Sequence, residues 1–362
     1  MAWQIKCKPG DFVVREVIED EVQSRWKEKI RRIHGKKAGE PESGFLWFTM
    51  KKTDRDFFES IDSIASELGI SSKKIGYSGT KDRRAVTCQT LSVEGVTEEE
   101  IKNLKMRGLG FSDFRRRNRP VKLGDHRGND FTINVRNVGK GEPDAISRRL
   151  ERIKGQGMIN FFGGQRFGSK GSNHVAGKYL VMGDLENASK TIMSGSGVGG
   201  RGHEHLLARH LERKPGDYEG ALRRLPLRLL KLLVHAYQAH LWNAAAEEHM
   251  KSSGKQALIP IPGYGTILEK YPGTGRIIGS LLKSEGILLS SFRIRKIPEL
   301  SSKGSEREFL CFPKDLSWHF GMDEINPDRM KLVLTFFLGK GSYATELVRQ
   351  AAGEQKAVIS KI

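Results

Sequence analysis

The chain reads as an α+β protein on three observations. Strand-like runs alternate with amphipathic helical runs without forming repeated βαβ units. Near Gly183 the pattern turns mainly helical, and 362 residues supply enough chain for two domains or for one domain with a large insertion. The expected first part is a sheet with helices on one face.

Residues 11–17 alternate as a strand, and a charged connection over 25–37, rich in Lys and Arg, is expected to face a polyanion. A second strand covers 45–50. A helix follows over 54–68, with Thr53 as N-cap and Asp56 three residues on. Phe57, Ile61, Ile64, Ala65 and Leu68 line one face of it, and Gly69 supplies a left-handed stop. Strands are expected at 85–93 and, past the basic run Arg115 to Arg119, at 131–138. The helix over 144–154 carries Arg148, Arg149 and Arg152 on its exposed side. Gly124, Gly128 and Asn129 read as a tight turn. Beyond Gly183 the longest helix starts after Pro226, where Leu230, Leu233, Val234, Tyr237, Leu241 and Ala245 recur at helical spacing and read as core.

Composition narrows the function classes. Lys and Arg number 62 against 43 Asp and Glu, a formal charge of +19. Such a surplus suits nucleic acid, with an anionic membrane surface as the main competitor. No apolar run is long enough to span a bilayer and residues 1–6 lack the apolar core of a signal peptide, so the expectation is a cytoplasmic protein. Cys7, Cys88 and Cys311 stand far apart with no CxxC pair, which points to neither a zinc site nor a disulfide framework. The histidines of 203–210 miss HExxH spacing and read as a polar helix face. The run 195–200 fits GxGxxG formally, but it follows a helical pattern and reads as a loop. No phosphate-loop motif occurs.

One segment concentrates chemistry. In residues 75–89, a short Gly-bounded turn between two strand-like runs, Asp82 sits among Lys81, Arg83 and Arg84. Neighbouring cations favour the ionised carboxylate, which suits it to nucleophilic or basic work. The competing reading is a solvated turn whose charges pair for under about 1 kcal/mol.

Two further clusters decide between these: 160–168, Asn-Phe-Phe-Gly-Gly-Gln-Arg-Phe-Gly, and 336–345, which runs from Phe336 through Tyr343 to Thr345. With 6–16 and 123–131 they stand in the order and spacing of the TruD family of tRNA pseudouridine synthases, which the chain resembles over most of its length. The resemblance implies a mixed, mainly antiparallel catalytic sheet in two pieces, residues 1–182 and 311–362, around an inserted α/β TRUD-type domain at 183–310. It also implies tRNA as the partner, the uridine at position 13 as the target, and neither membrane nor obligatory protein partner. Asp82 matches the catalytic residue. Lys6 matches an active-site lysine that pairs with that carboxylate or a nearby phosphate, Asn160 a residue positioning the loop and base, and Phe162 the base-stacking aromatic. Tyr343 stands where bacterial members commonly carry Phe.

Isomerising uridine needs no second reagent, so no cofactor is expected. One carboxylate must act at the ribose, either attacking C1′ or taking the C2′ proton to give a glycal, and an aromatic platform must hold the turned base. On the premise that 161 and 162 lie on opposite faces of a strand, Phe161 is expected to pack and Phe162 to serve the site. The alternatives are a catalytically silent tRNA-binding module, an RNA methyltransferase, which would need a cofactor fold, and a membrane-surface protein.

Overall fold

In a computed structural model of the protein the described residues are 2–18, 44–168, 170–194, 203–353 and 358–360. The basic connection 25–37 and the Gly-rich run 195–200 lie outside them. Backbone contacts divide the chain into two units, Met1–Gly157 with Phe312–Ile362, and Met158–Cys311.

The first unit begins with β1 (Trp3–Ile5), β2 (Phe12–Ile18) and β3 (Phe45–Thr53). Burial alternates along β2, so Phe12, Val14, Glu16 and Ile18 all face inward. The first helix, α1 (Phe57–Glu67), starts later than the sequence suggests, because Thr53 still belongs to β3 and Asp54 is turned out of helical geometry at φ +49. Asp56 is the cap instead, its carboxylate accepting from the amides of Phe58 and Glu59. Phe57, Ile61, Ile64 and Ala65 pack with Leu46, Phe48, Met50, Leu91 and Val93 of the sheet.

Next come β4 (Gly76–Tyr77), β5 (Val86–Glu94), α2 (Glu98–Lys102), β6 (Leu109–Arg117), β7 (His126–Val138) and α3 (Pro143–Gln156). Strand β6 is one the sequence analysis did not foresee, and Arg115, Arg116 and Arg117 of the basic run form its end, paired with Trp47, Leu46 and Phe45. One expectation is corrected here. Gly128 and Asn129 lie within β7 rather than in a turn. Gly128 is opposite Gly339, and a Cβ there would fall 2.2 Å from the carbonyl oxygen of Leu338, so the strand tolerates only glycine.

The second unit comprises β8 (Met158–Ile159), α4 (Asn173–Met182), α5 (Leu185–Met193), α6 (Glu204–Arg213), α7 (Tyr218–Leu222), α8 (Leu227–Ser252), β9 (Leu258–Ile261), α9 (Thr274–Ser284), β10 (Ser305–Glu308) and β11 (Leu310–Cys311). It is helix-rich, with two short antiparallel ribbons, β9–β10 and β8–β11. The expected face of α8 is buried, Leu230 through Ala245. The unit starts at Met158 rather than Gly183 because α4 packs along α8. At Gly177 a Cβ would lie 2.0 Å from the carbonyl oxygen of Leu233, a close approach that ties residues 173–182 to this unit.

The chain returns to the first unit through β12 (Lys314–Met322), β13 (Met330–Gly339), α10 (Ala344–Ala352) and β14 (Val358–Ser360). The main sheet runs β12-β13-β7-β2-β5-β3-β6. All these neighbours are antiparallel except β2 and β5, which run parallel with Val13 opposite Val86. That one parallel pair brings the starts of both strands to the same edge of the sheet. The segment before β2 and the loop before β5 therefore meet.

Candidate functional site

Those two segments carry Lys6 and Asp82. The Lys6 ammonium donates to Asp82 Oδ2 at 2.5 Å, with the lysine side chain 8% exposed and the aspartate 35%. Lys6 holds a left-handed backbone at φ +58 between β1 and β2, and its Nζ stands 4.4 Å from the centre of the Phe12 ring. The geometry leaves one carboxylate oriented by a shielded cation while part of it stays open to a reactant.

A second lysine holds the backbone of the same residue. Lys52 Nζ donates at 2.7 Å to the carbonyl oxygen of Asp82 and at 2.7 Å to that of Arg55. It is wholly buried. Burial pushes its pKa down to about 8, against the opposing pull of Asp82, Asp56 and Asp54. Lys81, beside Asp82 in sequence, turns to another partner and donates to Glu16 Oε2 at 2.5 Å, where the glutamate side chain is fully buried. The loop is tied further by Gln89, whose Nε2 donates to Gly79 O at 3.1 Å, and by the amide of Gly124, which donates to Ser78 O at 2.8 Å. His126 packs beside Gly79; burial and then Lys81 hold its pKa below the ordinary value, with Glu16 opposing.

Tyr343 belongs to the same unit. It is half-buried at the N-cap of α10, where its carbonyl accepts from the amide of Glu346 at 3.1 Å. Behind Lys6, Arg136 grips Asp11 through two nitrogens, Nε to Oδ2 at 2.9 Å and Nη2 to Oδ1 at 2.8 Å, and also reaches Asp323 at 2.8 Å. This buried cluster fixes the turn that leads from Lys6 into β2.

Asn160 and Phe162 lie in the second unit, which the sequence reading had starting later. Strand β8 stops at Ile159, so the expected alternation of Phe161 and Phe162 is absent. Both rings are nearly buried, at 7% and 9% exposure. The Phe162 backbone is clamped to α8 by Asn243, which accepts from its amide at 2.9 Å and donates to its carbonyl at 3.0 Å. Its ring meets Trp242 edge-on with centroids 5.6 Å apart. Arg307 covers it, with the guanidinium 4.2 Å from the ring centre and 5.3 Å from that of Trp242. Asn160 anchors that arginine: its carbonyl accepts from Arg307 Nε at 2.7 Å and its Oδ1 from Nη2 at 2.6 Å.

The structure thus joins Lys6 to Asp82 in one unit and Asn160 to Phe162, through Arg307, in the other. Sequence reasoning missed Lys52, Glu16 and Arg307. The first two had a signal, since period two places Lys52 on the face of Leu46, Phe48 and Met50, and Glu16 on that of Phe12 and Val14. A charge on a core face asks for a partner. Arg307 had none, being 147 residues from Asn160. Among the described residues no group of three His, Cys, Asp or Glu side chains is arranged to hold a metal, and no helix is long and apolar enough to cross a membrane.

Fold and site together suit an RNA-modifying class, in which one unit, an α+β sheet, presents a lysine-paired aspartate and the other is helix-rich and carries a cluster of aromatic rings. The family model for tRNA pseudouridine synthase D (TruD) matches residues 1–201, 198–257 and 244–351. A Methanosarcina mazei protein named "Probable tRNA pseudouridine synthase D" is 31% identical over 93% of this chain and 92% of its own. One of the same name from Methanopyrus kandleri is 32% identical over 85% of each. A crystal structure described as that of the "Putative tRNA pseudouridine synthase D (TruD)" from Methanosarcina mazei superposes with a TM-score of 0.74 at 28% identity, covering 97% of this chain and 93% of that one. The chain belongs to the TruD family of tRNA pseudouridine synthases.

Proposed function

We propose that the protein isomerises a uridine of tRNA to pseudouridine, at position 13, with Asp82 as the catalytic carboxylate and no cofactor. The observation that carries this reading is the Lys6–Asp82 pair at 2.5 Å on a loop whose backbone is held by buried Lys52. Asp82 acts at the ribose, by attack on C1′ or removal of the C2′ proton. The N1–C1′ bond breaks, the freed uracil turns, and C5 bonds to C1′. N1 gains a proton and C5 loses one, so atoms and electrons balance without another reagent. Phe162 supplies the ring on which the turning base is held, Asn160 positions that segment through Arg307, and Tyr343 lines the substrate site from the start of α10. The net charge of +19 supplies phosphate contacts for a tRNA partner.

Loss of the C5 hydrogen gives the test. Unmodified tRNA labelled with tritium at uridine C5 is incubated with the protein, and released tritium is counted. About one equivalent per tRNA is expected, and pseudouridine-specific chemistry should map the product to position 13. No release, or release undiminished in Asp82→Asn, overturns the assignment.

A further inference from the structure

A separate basic recess lies wholly within the second unit. Four side chains from one face of α6, Leu206, Arg209, His210 and Arg213, line it with Lys214 at the helix end and Arg224 just after α7, enclosing about 480 Å³. Spacing of three, four and seven residues puts all four on one stripe. A stripe facing a neighbouring element is ordinarily apolar, but this one carries cations facing another cation.

Among the described residues the charge there is offset only in part, with the Asp217 carboxylate acting on Lys214 beyond ion-pair distance. Among the described residues no carboxylate stands within ion-pair distance of Arg209, Arg213, Lys214 or Arg224. Neighbouring Arg223, by contrast, binds Glu219 at 3.0 Å and Glu299 at 3.2 Å. Glu212, the nearest acid in sequence, is exposed and does not line the recess, and Asp217 is occupied otherwise: Oδ2 faces His210 Nε2 at 2.8 Å and Oδ1 accepts from the amide of Gly220 at 2.9 Å. Arg224 Nε lies 3.4 Å from His210 Nδ1, so the imidazole stands between Asp217 and Arg224 and braces Arg224 toward the recess. Four permanent cations held around one concavity repel each other until an anion enters.

We propose that this recess binds backbone phosphate of the substrate RNA, as a docking point formed by the second unit alone. The choice of RNA over a free anion rests on the tRNA-modifying reading above. Two or more phosphates fit the volume and the number of guanidinium groups, and Arg forks suit phosphate oxygens better than a lysine's point charge does.

The test uses the full-length protein with Arg209→Gln/Arg213→Gln and the charge-keeping Arg209→Lys/Arg213→Lys. Both positions are exposed, and Arg224→Gln serves as an independent second probe of the same recess. Labelled tRNA is titrated between about 50 and 200 mM salt. The glutamine pair should lose roughly tenfold in affinity at the low end and flatten the log-log salt slope by about 1 to 2, at ~0.9 per phosphate. The lysine pair should keep most of the slope, and tritium release in single turnover with saturating enzyme should be unchanged in both. Wild-type affinity and slope in the glutamine pair and in Arg224→Gln overturn the proposal. It is equally overturned if inorganic phosphate raises the melting temperature of the wild type but not of the variants while tRNA binding is unaltered, because the recess would then serve a free anion. If the wild type releases no tritium, the isomerase reading fails by itself, and the titration still reads the recess.

Discussion

The fully buried ammonium of Lys52 donates to the backbone carbonyl of Asp82 at 2.7 Å, so the candidate catalytic residue is gripped at its main chain by one lysine and at its carboxylate by another. Splitting the work in this way frees the orientation of the carboxylate from that of its loop. The second contact of Lys52, to Arg55 O, joins the loop to the turn that enters α1. A displacement of that turn would be felt at Asp82.

Replacing Lys52 by Met should therefore lower turnover by roughly 10- to 100-fold while tRNA affinity stays within about threefold, since two carbonyls lose a charged donor and the loop loses its register. Stability gives a separate signature. The folded pKa of Lys52, about 8, lies below the ordinary lysine value of 10.5, so below pH 8 the native state carries a charge it would rather release. Between pH 8 and 10.5 the unfolded chain holds more protons, and the stability of the wild type relative to Lys52→Met should rise with pH, by at most about 3 kcal/mol. Denaturant titrations of both proteins across that window check the sign. A relative stability that falls there would show that Lys52 is not a desolvated ammonium.

Asp82→Asn should cut the rate of pseudouridine formation by at least about a thousandfold with tRNA affinity nearly unchanged. The amide keeps the shape and loses the anion, while phosphate contacts elsewhere carry the binding. Mass spectrometry of the variant excludes deamidation back to Asp. Substantial turnover by an intact Asn protein would move the chemistry to another residue.

How much of this site could be read in the chain differs residue by residue. Asp82 was visible because a single acid among cations on a turn is locally unusual, yet the cation that meets it is Lys6, from 76 residues away, and adjacent Lys81 turns to Glu16. Local charge singled out the candidate but not its partners, because these are set by the parallel pairing of β2 with β5. The amphipathic stripe of α8 was legible throughout, since burial repeats with the helix period. Helix α1 was placed with the wrong cap because the left-handed turn at Asp54 leaves no trace in hydrophobic pattern. The expected boundary near Gly183 and the start of the compact unit at Met158 differ for a related reason. A composition shift marks where helices begin to dominate, whereas the unit is defined by what α4 packs against.

The Arg136 cluster makes acid stability a readout of the segment carrying Lys6. Burial alone would raise the pKa of Asp11, but Arg136 and the amide of Lys8 outweigh it and hold the carboxyl below 3.8. In Asp323, likewise, hydrogen bonds from Asn326, the Asn137 and Ile325 amides and Arg136 outweigh burial. Depressed folded values mean stability that is present above about pH 4 and lost as pH falls through the folded values. Asp11→Asn should flatten that acid limb while destabilising the protein at pH 7 by about 3 kcal/mol, because Arg136 loses a buried partner. Thermal unfolding at pH 7 and pH 3 measures both effects; an unchanged acid limb would remove Asp11 from the account.

Phe162 carries two burdens, which must be separated. Its ring is nearly buried against Trp242 and Arg307, so Phe162→Ala should destabilise the protein by about 3 kcal/mol or more as well as slow it. Phe162→Leu keeps most of the packing and loses the π-face. With saturating enzyme, single turnover should slow roughly 10-fold in the leucine variant and further in alanine, with Phe162→Tyr closest to wild type and RNA affinity little changed. Wild-type turnover in a folded leucine variant would return Phe162 to a purely packing role.

The last prediction concerns the second unit as a whole. Cutting at Gly183 would strip α4 of the α8 surface on which Gly177 rests, so the excision consistent with the packing is 158–311, with a flexible linker from Gly157 to Phe312. The β2–β5 pair, Lys52 and the Lys6–Asp82 contact all lie outside it, so the remaining unit should retain its sheet. It would lack Asn160, Phe162, Arg307 and the basic recess. Turnover should disappear even though Asp82 stays in place, and the salt slope for folded tRNA should fall by several units toward that for a short single-stranded RNA. Circular dichroism establishes that the shortened protein is folded, and parallel titrations of the two RNAs against it and the full chain give the slopes. Equal slopes and an equal preference for folded tRNA would confine recognition to the first unit, and residual pseudouridine formation would show that the aromatic contribution of Phe162 is dispensable.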